Sequence, residues 1–344
     1  MHSNSACINR KKKGFTMSHE VETMAYANET PWHGLGTPVA DTLTPVEMLQ
    51  AAGLDWKVEK KALFVDDLDT QINSHYALVR NTDSRILGIC GNEYSPTQNE
   101  EVFDFFSKFC KAGDMKMETA GSLHGGKRVW GLAKINGGFM LGGKDEVEGY
   151  ILLDNPHIRG RSLQIMFTPI RVVCNNTLTQ ALRGNTHKDA TFRMSHDRAF
   201  SDEIKQEAAE KVGLAMKALD VFKDRAEFLS KKRAKDQKVM EFFSKLVNPD
   251  LYQTAQEQSE DGIVNRSDLG RTVNRLIDIV HTQPGADLKT SAGTWWGAFN
   301  AVTYYYDHVA GTDQDKRLTS AWFGSAATRK RQALDLAVEF AEAA

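Results

Sequence analysis

The residues best suited to chemistry gather in two segments, and both suit an anionic ligand. The first runs from Leu163 to Arg183, LQIMFTPIRVVCNNTLTQALR. Apolar, partly β-branched residues read as a strand up to Val173. Cys174, Asn175, Asn176 and Thr177 then place a thiol, two amides and a hydroxyl at its end, flanked by Arg171 and Arg183. Polar groups where a strand stops and a helix starts are well placed to contact a ligand. The second segment, Gly121 to Arg128, reads GSLHGGKR and nearly matches the phosphate-cradling pattern G-x-x-x-x-G-K-[ST]. Two features oppose that match. Arg128 replaces the hydroxyl that would hold magnesium, and residues 129–135 read as a strand, not as the helix whose N-terminus must face phosphate. The expectation is a glycine-rich hairpin tip able to grip a nucleic-acid backbone through Lys127 and Arg128, without nucleotide hydrolysis.

Charge sharpens this reading. Between residues 159 and 198 the basic residues are Arg159, Arg161, Arg171, Arg183, Lys188, Arg193 and Arg198, and the acids are Asp189 and Asp197. Seven against two is a local excess of +5 in a chain of formal net charge −2. Arginine forks and amide side chains suit phosphate and base edges. The nucleic-acid-binding set expected from sequence is therefore Lys127, Arg128, Arg159, Arg161, Arg171, Asn175, Asn176, Arg183, Lys188 and Arg193. No catalytic residue, metal ligand or cofactor is assigned.

Other chemistry-bearing residues read as structural. His33, in Trp-His-Gly-Leu-Gly, has no carboxylate or second histidine at ligand spacing. Cys174 follows an apolar run and reads as a buried thiol, although Arg171 nearby would suit a thiolate. His75, His124, His157, His187 and His196 are scattered. Trp295, Trp296, Phe299, Tyr304, Tyr305 and Tyr306 fall on one helix, where aromatics at spacings of four and seven form core more often than a base-stacking platform.

The elements that must position these groups follow from pattern. DTLTPVEMLQAAGL reads as a helix with Thr44 as N-cap, Pro45 at its first position, Glu47 three residues past the cap and Gly53 after its end. Strand-like runs WKVEKKALFV, YALVRN and RILGICGNEY follow, then a helix PTQNEEVFDFFSKFCKAG closed by Gly113. A meander comes next: METAGSL, KRVWGLAKI, EGYILLDN, LQIMFTPIRVVC and KDATFRMSH. Residues 199–247 contain no proline and carry apolar positions at helical spacing, predicting one long helix or two. Three further helical pieces are expected, at about 266–282, 293–309 and 325–343. The fold class is α+β: a largely antiparallel curved sheet with packing helices, followed by an all-α C-terminal region. The expected divisions are a disordered extension at 1–16, an α+β nucleic-acid-binding domain at 17–198 and a helical domain at 199–344.

Composition limits the alternatives. The 344 residues, 26% charged and 41% hydrophobic, suit a globular protein with a large core. No run of 18 apolar residues suggests a membrane span. The start, MHSNSACINRKKKGF, has basic residues but no apolar core after them, unlike a secretory signal. Cys7, Cys90, Cys110 and Cys174 are far apart, which fits a reducing cytoplasm better than a disulfide framework.

Five motifs in order also resemble a known family: VETMAYANETPWHGLGTPV, YSPTQNEEVFDFF, TAGSLHGGKRVWGLAKI, the Leu163–Arg183 segment and TWWGAFNAVTYYYDHVAG. Together they are similar to the phage/plasmid-like protein family of unassigned function, from about Met17 to Ala344. The resemblance implies a gene carried on phages, prophages and plasmids, acting in the bacterial cytoplasm. The order helix, three strands, helix resembles, at the level of fold, phage single-strand annealing proteins of the Redβ, RecT and Erf type. The expected function is a non-catalytic, oligomeric protein that binds single-stranded DNA in annealing-type recombination, its partners being that DNA and further copies of itself in a ring or filament. Two alternatives stay open: a nucleotide or nucleic-acid hydrolase using His33 and carboxylates gathered in space, and a host-takeover protein with only protein partners.

Overall fold

Local signals start the first helix. In the computed structural model, Thr44 Oγ1 accepts from the Glu47 amide at 3.3 Å, and Glu47 Oε2 accepts from the Thr44 amide at 2.8 Å. This reciprocal cap satisfies two amides that the helix leaves unpaired. The structure describes residues 21–28, 36–65, 70–171, 176–177, 191–198, 201–259, 263–311 and 314–343.

The chain begins with strands β1 (Val21–Ala27) and β2 (Thr37–Val39), then helix α1 (Pro45–Ala51). Strands β3 (Val58–Val65), β4 (Thr70–Arg80) and β5 (Ile86–Gly91) precede helix α2 (Asn99–Ala112). The meander follows: β6 (Lys116–Leu123), β7 (Arg128–Lys134), β8 (Phe139–Leu141), β9 (Asp145–Pro156), β10 (Leu163–Arg171), β11 (Asn176–Thr177) and β12 (Thr191–Met194). The rest is helical: α3 (Asp202–Lys231), α4 (Asp236–Val247), α5 (Pro249–Gln258), α6 (Arg271–Thr282), α7 (Trp295–Tyr304), α8 (Gln314–Phe323) and α9 (Ser325–Glu342). A π turn, Tyr305–Val309, continues α7.

The order helix, three strands, helix is present, but those strands do not join the meander. β3, β4 and β5 make a separate three-stranded antiparallel sheet. The large sheet runs β11-β10-β9-β7-β6-β1-β2, with β12 also on β10 and β8 on β9. Its pairings are antiparallel except the edge pair β1–β2. The mixed α/β class with a helical C-terminal region is as the pattern predicts. The long C-terminal pattern resolves into two helices, α3 and α4, and the structure adds α5 and α8, which the pattern does not separate.

The two faces of the large sheet have different fates. Ala120, Val129, Ala133, Ile151, Leu153, Ile165 and Phe167 face the main core, with Phe103 and Phe106 of α2 and Phe222 of α3. The same core continues through Phe242, Trp295, Trp296, Phe299 and Leu334, so it runs unbroken across the division expected at residue 198. Buried Asp145 on β9 fastens the halves, accepting from Trp296 Nε1 and Thr290 Oγ1, both at 2.9 Å. The opposite face carries a smaller cluster of Val21, Met24, Tyr26, Leu123, Trp130, Leu132, Tyr150, Leu152 and Met166, with Trp322 and Phe323 of α8 packed on it.

Candidate nucleic-acid interface

Residues 124–127 form the turn of the β6–β7 hairpin, and β7 starts directly at Arg128. No helix opens after Lys127, so the segment lacks the geometry of a phosphate-cradling loop. Its glycines answer to packing. A Cβ on Gly121 would lie 2.3 Å from Trp130 and 2.6 Å from the Thr23 carbonyl oxygen. Gly126 has φ +85, and a Cβ there would lie 2.8 Å from Arg80 Nη1. The turn rests on a cluster in which Arg80 donates to both Glu22 oxygens at 2.8 Å and to Asp83 at 2.9 and 2.6 Å, while Arg85 adds a bond to Glu22 at 2.9 Å. These guanidinium bonds, Arg80 first, hold the Glu22 carboxyl below its usual range. Arg80 and Arg85 are therefore spent on neighbouring acids.

Strand register brings other cations together. Arg128 pairs with Pro156 at the end of β9, and the His157 amide donates to the Lys127 carbonyl at 2.8 Å. The β9–β10 loop carrying Arg159 and Arg161 thus leaves the sheet beside the hairpin tip. Gln164 on β10 lies opposite Asp154 on one side and Arg193 of β12 on the other. Lys127, Arg159, Arg161, Arg193 and Arg198 are all exposed at this end of the sheet and form no ion pair with a described acid. Exposed Asp197 is the acid among them, and Ser195 Oγ donates to it.

Arg128 corrects the expectation. Its side chain turns onto the second face of the sheet, where it is buried. Its Nε stands 3.1 Å from Oδ1 of fully buried Asp154, and its guanidinium lies 4.2 Å from the Phe323 ring centroid. The Arg128–Asp154 approach is out of line for a hydrogen bond, and neither Asp154 oxygen has a hydrogen-bond partner among the described residues. Burial pushes Asp154 up to about 7, against the pull of Arg128 and Arg161, and lowers Arg128. Arg128 is thus a buried half of an ion pair, not part of the exposed set.

A buried polar cluster lies on the main-core side of the same end, unmarked by any spacing in the sequence. Asn99, at the start of α2, accepts at Oδ1 from His157 Nε2 at 2.8 Å and from Asn155 Nδ2 at 3.1 Å, and donates to the Leu54 carbonyl at 3.0 Å. His196 Nδ1 lies 3.2 Å from Thr97 Oγ1, and its ring stacks on Tyr94. Burial lowers His157 to about 3 and His196 to about 4. Tyr94 Oη, Asn155 Oδ1 and His157 Nδ1 have no hydrogen-bond partner among the described residues. Asn155 and His157 lie at and just past the end of β9, His196 just past β12, and Tyr94, Thr97 and Asn99 lead into α2, so only the folded registers bring them together.

The remaining expectations divide simply. Trp295, Trp296 and Phe299 are buried core, as their helical spacing predicts. Cys90 and Cys110 are buried and free, and burial pushes the Cys110 thiol up to about 12. His33, Cys174, Asn175, Arg183 and Lys188 lie outside the described residues. For Arg171 and Asn176 the backbone alone is described, paired with each other across β10 and β11. Among the described residues no cluster of three or more His, Cys, Asp or Glu has a metal-binding arrangement, and no helix is long and apolar enough to cross a membrane.

Comparison with known proteins gives one positive finding. The model of a family described as Domain of unknown function (DUF932) matches residues 86–332. No curated protein and no solved structure matches the chain. The family match spans most of the chain and takes in the meander, the basic end and helices α3 to α8, so the chain belongs to that family.

Proposed function

We propose that this DUF932 protein binds single-stranded DNA without catalysis, as a homo-oligomer serving annealing-type recombination on a phage or plasmid. One observation carries the reading: Lys127, Arg159, Arg161, Arg193 and Arg198 stand exposed and unpaired with described acids at one end of the large sheet, in a chain of net charge −2. Neutrality elsewhere makes such a local patch a docking feature rather than a by-product of composition. A strand end carrying several arginines suits phosphates spaced along a flexible single strand. The motif resemblance to a phage/plasmid-like family supports the biological setting. A single basic end spans few nucleotides, so useful affinity calls for several copies in series, in a ring or filament.

Anisotropy of a labelled oligo-dT, titrated across salt, tests the reading. Affinity should fall with salt at a log–log slope of about −0.7 for each phosphate neutralised. Lys127→Glu with Arg159→Glu and Arg161→Glu should abolish binding while leaving the fold intact. A flat salt response, or charge reversals without effect, would overturn it. Light scattering with the oligonucleotide should report a species larger than a dimer.

A further inference from the structure

The second face of the large sheet carries an aromatic and cationic surface covered by α8. Among the described residues, three of its contacts tie the helix to the sheet. Thr319 Oγ1 lies 3.0 Å from His124 Nε2, Trp322 meets Trp130 edge-on at 6.3 Å between ring centroids, and Phe323 lies 4.2 Å from the Arg128 guanidinium. Trp322 and Phe323 are only half-buried. Among the described residues they are, with Ile170, the partly buried apolar side chains packed on this face. The cover at this point is therefore a single short helix.

The helix is latched at its other end. Arg317 donates to the carbonyls of Ala310 at 2.7 Å, His308 at 2.9 Å and Gly311 at 2.9 Å. Those bonds fix α8 to the π turn and not to the sheet. Gly311, at φ +74, sits just before the helix, where a left-handed backbone suits glycine. At the aromatic end Gly324 alone separates α8 from α9, and the Ala326 amide donates to Ser320 Oγ at 3.2 Å, so Trp322 and Phe323 leave the sheet by turning about Gly324 while the Arg317 clasp stays closed.

Covering this face has an electrostatic cost. Phe323 helps to seal a desolvated pair, Arg128 and Asp154, whose carboxylate oxygens lack hydrogen bonds among the described residues. Arg161, exposed and outside ion-pair distance, still acts electrostatically on both members, favouring the charged carboxylate and opposing the Arg128 charge. A buried pair with incomplete hydrogen bonding recovers little of its desolvation penalty. Water or a phosphate oxygen reaching Arg128 would relieve it.

We propose that α8 is a movable cover: lifting its aromatic end adds Arg128 and Trp130 to the basic end as a subsite for one further nucleotide. Arg128 takes the phosphate, and the Trp130 ring is the platform on which the base stacks. The inference rests on the nucleic-acid reading above and deepens it, since the surface is an aromatic face beside a guanidinium, suited to a nucleotide and not to a bare anion.

Oligo-dT titrations test the cover. Trp322→Ala with Phe323→Ala removes the seal and should tighten binding roughly fivefold or more, the scale of one added base stack. The salt slope should steepen by about 0.7, the equivalent of one phosphate. Unchanged affinity and slope in a variant with the native circular dichroism spectrum would overturn the inference. A locked protein decides the matter should the alanine variant misfold. His124→Cys and Thr319→Cys, in a Cys7→Ser, Cys174→Ser background, are joined by a short thiol crosslinker. The joined form should bind more weakly than the same protein left unjoined, and equal binding would overturn the cover. The charge-reversal variant separates the two ideas. If it abolishes binding while the cover variants match wild type, only the cover fails. If no form binds, the nucleic-acid reading fails and the cover with it.

Discussion

Asn99 Oδ1 and His157 Nε2 lie 2.8 Å apart in the buried seam between α2 and β9. Asn99 can only accept at that oxygen, so His157 carries its proton on Nε2. Its Nδ1 has no partner among the described residues. A second proton would then be an unpaired charge in a site with no exposure, which is why burial lowers His157 to about 3. His196, on the β12 side, is lowered to about 4 for the same reason.

The first prediction is loss of stability in acid. An unfolded histidine takes up its proton near pH 6.5, whereas these two stay neutral in the folded chain until about pH 4 and below. Below pH 6.5 the unfolded state therefore binds more protons, and stability falls with pH. Asp154 works the other way, because its folded value of about 7 lies above its unfolded one and it takes a proton into the fold between pH 7 and 4. Two protons against one leave a net slope of about 1.4 kcal/mol per pH unit between roughly pH 6 and 4. Urea unfolding at stepped pH measures it, and Asp154→Asn should steepen the slope. Stability that is level or rising toward pH 4 would contradict the assignment.

The second prediction concerns the bond between the two sheets. Arg80 ends β4 in the small sheet and reaches Glu22 on β1 of the large one through two bonds of 2.8 Å. The Arg80 side chain is 8% exposed and that of Glu22 16%. Arg80→Met leaves Glu22 with Arg85 and the Ser122 hydroxyl, and should cost about 3 kcal/mol in urea unfolding. Arg80→Lys should recover little, since one ammonium cannot bond both Glu22 oxygens and Asp83 together. A lysine variant as stable as wild type would show that charge, not the planar fork, holds the sheets.

The third prediction contrasts two glycines. Gly121→Ala forces a methyl to within 2.3 Å of Trp130 and 2.6 Å of the Thr23 carbonyl, and should destabilise by about 2 kcal/mol or more. Gly213→Ala adds a methyl in α3 where nothing lies within 4 Å, and should stabilise by about 0.5–1 kcal/mol. Thermal melts of the two variants should move in opposite directions.

What the sequence makes legible is what local chemistry decides. Thr44, Pro45 and Glu47 mark the start of α1 because cap, ring and carboxylate act within one turn. Trp295 and Phe299 can be assigned to core because helical spacing puts them on one face. Lys127 falls on a hairpin tip because glycines precede it and a strand pattern follows. Arg128, its neighbour, looks the same in sequence, yet Asp154 and Phe323, brought in by β9 and α8, bury it. The strand pattern of β3 to β5 likewise carries no sign that, among the described residues, they pair with one another and not with the meander. His157 and His196 appear scattered because their shared environment exists only once β9, β12 and α2 meet.

The last prediction separates two arginines of one loop. Arg159 acts electrostatically on Cys90, on the main-core side, whereas Arg161 acts on Arg128 and Asp154, on the covered face. On the proposed single-strand reading, either Arg→Ala change should weaken binding and reduce the salt slope by about 0.7, the equivalent of one phosphate contact. Only Arg161→Ala should also move Asp154. Arg161 favours the charged carboxylate, so its loss leaves burial less opposed and raises the Asp154 value further above about 7. Carbon NMR of the labelled carboxyl, followed through pH without nucleic acid, reads this directly. If Arg159→Ala shifts Asp154 as much as Arg161→Ala does, the two arginines are not divided between the faces of the sheet.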